Sequence, residues 1–179
     1  QTKRVAIVTG GGSGIGLAIA EKFTQAGIET IIVGRDENKL TQAKEKLGDH
    51  SHAMICDLSN LSSIPSFVRD VIKQFGQVDV LVNNAGINMK KEFQDVTDED
   101  FQKVITTNLT AVFALSREVV KQMLKQKSGS IINISSMAAQ YGLPKVIAYS
   151  ASKTAIDGMT RAMAVDLSPR GIRVNCIAP

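Results

Sequence analysis

The chain has no tryptophan, two tyrosines and two cysteines among its 179 residues. So few aromatic rings leave little for nucleobases to stack on. Lys and Arg are scattered among Asp and Glu and form no basic run, so a nucleic-acid partner is not expected at a net charge of +4. Cys56 and Cys176 lie far apart without metal-ligand spacing. Each sits in an apolar, strand-like run, which reads as a reduced core thiol in a reducing compartment. His50 and His52 fall in a polar connection and read as solvated loop or strand-edge side chains, so no metal is expected. No apolar run approaches the roughly 20 residues of a membrane span. Gln1-Thr2-Lys3-Arg4 leads directly into a strand-like run instead of a signal peptide. The expectation is a cytoplasmic protein without a membrane partner.

What is present is alternation. Short apolar runs at Val5–Val8, Thr30–Val33, His52–Cys56, Val78–Val82, Ser130–Ile134 and Ile172–Ala178 read as strands buried on both faces. Between them lie helical patterns. One runs through Ile15, Ile19, Phe23 and Ala26, and one from Glu37 to Leu47. A third carries Ile64, Phe67, Val68, Val71, Ile72 and Phe75 on one stripe, with Pro65 in its first turn and Gly76 as its stop. Thr97 and Asp100 mark a capped start for one long helix through Phe101, Val104, Ile105, Leu109, Val112, Leu115, Val119, Val120 and Met123. A last helix bears Tyr149 and runs to about Leu167. Strand–helix alternation of this kind predicts an α/β fold: a doubly wound parallel sheet of at least six strands with helices on both faces, the Rossmann arrangement. Length and the lack of repeats or linkers make residues 1–179 one domain.

The first turn carries chemistry. Thr9-Gly10-Gly11-Gly12-Ser13-Gly14-Ile15-Gly16 lies between strand one and its helix, where glycines let backbone N–H groups approach a pyrophosphate and the helix N-terminus favours anions. No Lys-Ser/Thr ending follows, which disfavours ATP. Strand two ends in Val33-Gly34-Arg35-Asp36. Gly34 leaves room and Arg35 can bind a ribose 2′-phosphate, while Asp36 could serve as an acidic ribose ligand. The expected cofactor is NADP(H), with NAD(H) possible.

Tyr149 and Lys153 stand four residues apart at the start of the last helix, neighbours on one face. A phenol has a pKa of about 10, so acting as a base near neutrality takes a shift of roughly three units, about 4 kcal/mol. One ammonium about 4 Å away, at an effective dielectric of about 20, supplies that much.

Taken together, Thr9-Gly10-x-x-x-Gly14-x-Gly16, Asn83-Asn84-Ala85-Gly86 after strand four, Ser136 after strand five, and Tyr149-x-x-x-Lys153 resemble the classical short-chain dehydrogenases/reductases in order and spacing along essentially the whole chain. The resemblance implies Tyr149 as general acid/base, Ser136 as the hydrogen-bond partner of the substrate oxygen, and Lys153 as the residue that eases phenol ionisation and holds the nicotinamide ribose. It selects Ser136 over Ser135. It implies Asn108 as support for a water-mediated proton relay. Independently, Asn108 interrupts the apolar stripe of the long helix, and a buried amide needs partners, so a structural bond to backbone is also open. Gly10, Gly12, Ser13, Gly14, Ile15 and Gly16 would cradle the diphosphate. Asn83, Ala85 and Gly86 resemble the loop beside the adenosine ribose. Asp57 and Leu58 after strand three resemble the adenine-contacting pair, with a helix N-cap as the other reading of Asp57.

The resemblance also implies a small-molecule carbonyl or alcohol substrate, with reduction of 3-oxoacyl-carrier-protein or sugar and polyol oxidoreduction in front. The alternative is a dinucleotide-binding or redox-sensing protein without turnover. Members usually continue past Val174–Pro179 through a glycine, a substrate-covering segment and another strand, so the sequence looks shortened at that end. The last helix is apolar or small on several faces (Ile156, Met159, Met163 and Leu167, but also Ala151, Ala155, Gly158 and Ala162), which fits a homo-oligomer, dimer or tetramer.

Overall fold

A computed structural model describes residues 3–179 of the chain. Six strands, β1 (Val5–Thr9), β2 (Glu29–Gly34), β3 (Ser51–Ile55), β4 (Val80–Asn83), β5 (Gly129–Ile134) and β6 (Ile172–Ile177), form one sheet in the order β3-β2-β1-β4-β5-β6. Every pairing is parallel, with β1 bonded to β2 on one side and to β4 on the other. The direction of winding reverses between β1 and β4. At that reversal the carboxyl ends of two strands diverge and open a crevice where ligands bind.

Each strand is followed by its helix, α1 (Gly14–Gln25), α2 (Glu37–Leu47) and α3 (Ile64–Phe75) in the first half. Alternate side chains of the strands point to opposite faces. Val5, Ile7, Ile31, Val33, Leu81 and Ile131 bury against Phe67, Val71, Leu115 and Val119 on one face. Ile32 packs with Ala20, Leu40 and Ala43 on the other, and Val8 packs with Val82 and Ile134. Pro65 stands in the first turn of α3 and Gly76 caps it in the left-handed region. The Thr97–Asp100 capping box forms with both of its bonds, at 3.1 and 3.3 Å.

Several expectations change. The long helix is not continuous: α4 (Asp98–Ile105) passes through a π-helical stretch, Thr106–Thr110, into α5 (Ala111–Gln126). Phe101 is exposed because the stripe begins one turn later, at buried Val104. Ile15 is 50% exposed and belongs to the turn of the crevice instead of the core. At the sheet edge, Ile55 in β3 is exposed too. His50 and His52 both pair with the Glu29 carboxylate, at 3.0 and 2.7 Å. Cys56 is buried as expected, but Cys176 is only partly so and bonds to Asp157 on the last helix, α6 (Ile147–Leu167). Asp57 caps no helix; it accepts from the amide and hydroxyl of Ser59 in a tight turn.

Candidate active site

The β1–α1 turn is built by close approach. Gly10 takes φ +65°, and its amide donates to the Val33 carbonyl at 2.8 Å. A Cβ on Gly16 would collide with the Gly10 carbonyl and stand 2.5 Å from Asn84 Nδ2. Ser13 occupies the N-cap of α1 with its side chain unused, and the first turn of that helix carries no acidic residue. Its leading N–H groups are therefore open to an anion. This cradle, which a side chain would fill, fits a dinucleotide diphosphate.

On one side of the turn is a cavity of about 200 Å³ whose lining includes Gly10, Arg35, Asp57, Leu58, Ala85 and Gly86. The Ser59 hydroxyl and amide hold the Asp57 carboxyl below the usual carboxylate range, with Arg35 adding to the effect. Asp36 faces elsewhere. It is the N-cap of α2, accepting from the Lys39 amide at 3.1 Å.

On the other side is a cavity of about 340 Å³ lined by Ile15, Asn84, Ser136, Tyr149 and Lys153 among others. Gly86 and Ile87 line both cavities, so the two meet at the β4 loop. α6 presents Tyr149 and Lys153 one turn apart, the ammonium 5.7 Å from the ring centre. Lys153 is 5% exposed and donates to the Ile134 carbonyl at 2.7 Å; burial pulls its pKa down. The two neighbouring serines separate cleanly. Ser135 is buried and bonded to the Lys153 carbonyl, while Ser136 is half-buried and accepts from the Ala138 amide, leaving its proton free.

Asn108 lies in the π stretch, 1% exposed. Its side chain accepts from the Ile87 amide and donates to the Ile87 carbonyl and to Ser152 Oγ. The amide is fully engaged as a brace, and π turns recur at functional sites. The Asn83 side chain faces away from both cavities. Its amide points into the protein, donating to Ser116 Oγ and Asn133 Oδ1, and it lines neither cavity. Its neighbour Asn84 lines the catalytic-side cavity, its side chain donating to the Thr9 carbonyl at 3.0 Å while Thr9 Oγ1 accepts from the Asn84 and Ala85 amides. Gly12, Ser13, Gly14 and Gly16 shape the turn without lining either cavity.

A doubly wound sheet with a glycine cradle at its switch point defines a dinucleotide-binding protein. The short chain dehydrogenase family model matches residues 4–179. The 3alpha-hydroxysteroid dehydrogenase of Mediterraneibacter gnavus is 40% identical, covering 98% of this chain and 72% of that protein. The 3-oxoacyl-[acyl-carrier-protein] reductase FabG of Vibrio cholerae is 36% identical, covering 98% and 72%. A short-chain dehydrogenase structure from Streptomyces avermitilis superimposes with a TM-score of 0.96 at 32% identity, over 100% of this chain and 66% of that one. The chain belongs to the short-chain dehydrogenase family, oxidoreductases of carbonyl and CH–OH groups that use NAD(P)(H). It spans between 65% and 74% of the length of these and other relatives. Among the described residues, no helix is long and apolar enough to cross a membrane.

Proposed function

We propose that residues 1–179 form one NAD(P)-binding catalytic unit that interconverts a carbonyl and a secondary alcohol, with NADP(H) preferred over NAD(H). The observation that carries the reading is a single cavity edged by Ser136, Tyr149 and Lys153, sharing Gly86 and Ile87 with the nucleotide-side cavity.

When bound, a nicotinamide dinucleotide would supply the hydride. In reduction, the Tyr149 phenol gives its proton to the carbonyl oxygen. Ser136 donates to the same oxygen with the proton that its bond to Ala138 leaves free. The Lys153 ammonium favours the phenolate that results, and Asn108 holds the Ile87 loop in place. In oxidation the proton runs back from alcohol to tyrosinate. Ser13 and the first amides of α1 would hold the diphosphate, and Arg35, Asp57 and Leu58, which line the nucleotide-side cavity, would hold the adenosine end.

The NADP(H) preference is supported by two neighbours. Arg35 is exposed at the rim of the nucleotide cavity, and the Asp36 side chain turns to the N-terminus of α2, where it accepts from the Lys39 amide. Substrates of the 3-oxoacyl thioester type lead, followed by sugars and polyols; hydroxysteroids enter through the relative named above. A homo-oligomer, dimer or tetramer, is supported by Phe113 on α5 and Val165 on α6, 48% and 79% exposed.

The test follows cofactor absorbance in purified protein across acyl thioesters, ketones, steroids, sugars and polyols. Tyr149→Phe should lower turnover by roughly 10²–10⁴-fold while NADPH affinity stays near wild type. Unchanged turnover in that variant would overturn the assignment, and tight NADPH binding without turnover on any substrate would favour a sensor.

A further inference from the structure

Two non-glycine residues among the described ones take a positive φ, Lys127 at +54° and Lys145 at +66°. Lys127 ends α5, where a left-handed residue is an ordinary helix stop. Lys145 stands just ahead of α6, where no such stop is called for. A residue with a Cβ adopts that conformation at a cost, and it persists where surrounding contacts impose it. The contacts here are with the segment that leaves β4. The Lys91 amide donates to the Lys145 carbonyl at 2.9 Å, and the Lys145 ammonium returns to the Glu92 carboxylate at 2.7 Å. The Lys91 side chain runs the other way, to Asp100 of the capping box of α4. Both members of the Lys145–Glu92 pair are about half exposed, so the pair adds little by itself, and the backbone bond carries the attachment.

The stretch from Ile87 to Lys91 is thereby held at both ends. Asn108 bonds Ile87 from the π turn, and Lys145 bonds Lys91 from the approach to α6. Between these anchors Asn88 lines the catalytic cavity. On the helix side, Val146 is buried, and its carbonyl accepts from the Ser150 amide at 2.9 Å, closing the first turn of α6 around Tyr149. We propose that Lys145 is a positioning residue for Tyr149. Its left-handed backbone, bonded through its carbonyl to Lys91, sets the angle at which the chain enters α6 and so fixes the phenol against the Asn88 wall of the cavity. Backbone conformation, not the ammonium, does the positioning. The consequence for catalysis rests on the reading of Tyr149 as acid/base given above, whereas the placement of the ring does not.

The chain has two tyrosines, so full-length protein made with tyrosine labelled at the ring Cζ gives two NMR signals, and Tyr141→Phe leaves that of Tyr149 alone. In that background Lys145→Val puts a β-branched side chain at a positive φ, which it resists, while Lys145→Gly takes the same φ freely. Both lack the ammonium, so they differ in backbone preference. The Tyr149 signal should shift and broaden in Lys145→Val and keep its wild-type position in Lys145→Gly. Hydrogen exchange at the Lys91 amide should become about tenfold faster in the valine variant only, with the amides of β5 as the reference for any general loss of stability. Should Lys145→Val not fold, Lys91→Pro removes the donor from the other side and is read in the same way. An unmoved Tyr149 signal in the folded variant, or equal changes with valine and glycine, overturns the proposal. A displaced signal with unchanged turnover of a substrate found by cofactor absorbance supports the placement and overturns instead the acid/base reading of Tyr149.

Discussion

Asn108 and Ile87 exchange two hydrogen bonds, Oδ1 accepting from the Ile87 amide and Nδ2 donating to the Ile87 carbonyl, both at 2.8 Å. A side-chain amide here substitutes for a paired strand, and it does so for the loop residue that lines both cavities. The second Nδ2 proton goes to Ser152 Oγ at 3.1 Å, and that hydroxyl in turn donates to the Tyr149 carbonyl at 2.7 Å. One amide therefore fixes the crevice wall relative to the helix that carries the phenol.

Asn108→Ala removes three bonds at a site where the amide is 1% exposed. Unmet buried donors and acceptors make the expected loss about 2–3 kcal/mol, read from the denaturant midpoint, with turnover falling alongside. Asn108→Asp keeps the acceptor for the Ile87 amide but loses both donors, so it should be impaired as well. Wild-type stability in Asn108→Ala would show that the brace is dispensable.

Two glycines of the first turn make opposite demands. Gly16 has no room for a Cβ, which would strike the Gly10 carbonyl and crowd Asn84 Nδ2. Gly14 takes φ +54° but meets nothing within 4 Å. Gly16→Ala should push the turn apart and lower dinucleotide affinity more than tenfold, on the order of 1.4 kcal/mol or above. Gly14→Ala should cost only the left-handed strain, about 1 kcal/mol of stability. Calorimetric titration with NADPH and a thermal melt on each variant separate the two effects. Equal losses of affinity would refute the distinction.

The sheet was legible because its inner strands β1, β2 and β4 are buried on both faces, whereas β6 alternates buried and exposed residues. Its helices are bracketed by strong signals, Pro65 and Gly76 around α3, Thr97 and Asp100 at the start of α4. The turn of the crevice and the Tyr149–Lys153 pair were legible because their chemistry is local in sequence. Asn108 signalled itself as a polar residue in an apolar stripe, but its partner Ile87 is distant in sequence, and nothing in the composition of Thr106–Thr110 marks a π turn. Asn83 and Asn84 could not be told apart in role: neighbours at a strand end point to opposite faces, and pattern alone does not say which faces the crevice.

At the far edge of the sheet, Glu29 gathers Lys3, His50 and His52. The His52 hydrogen bond does most to lower its carboxyl, to about 2 from 4.5, with burial opposing and His50 and Lys3 assisting. A depressed folded-state pKa contributes stability above the unfolded value, and that contribution is lost as pH falls through the folded one. The urea midpoint should therefore drop between pH 4.5 and about 2 more steeply in wild type than in Glu29→Gln. At neutral pH Glu29→Gln should be the less stable of the two. Parallel midpoint curves for the two proteins would remove Glu29 from the acid transition.

Arg35 and Asp36 adjoin in sequence but serve different elements. Asp36 spends its carboxylate on the α2 amide of Lys39 at 3.1 Å, while Arg35 stands exposed at the nucleotide cavity. A guanidinium placed there meets a 2′-phosphate through charge-assisted bonds worth about 1.5–3 kcal/mol, which NAD(H) cannot form. Arg35→Ala should weaken NADPH roughly 10–100-fold and leave NADH almost unchanged. The same variant should flatten the salt dependence of NADPH binding, since the lost contact is the one that salt screens. Asp36→Asn serves as the contrast: the amide oxygen still accepts from Lys39, so α2 should persist and the NADPH-to-NADH ratio should hold. Equal losses for both cofactors in Arg35→Ala would place the selectivity elsewhere and reverse the cofactor assignment.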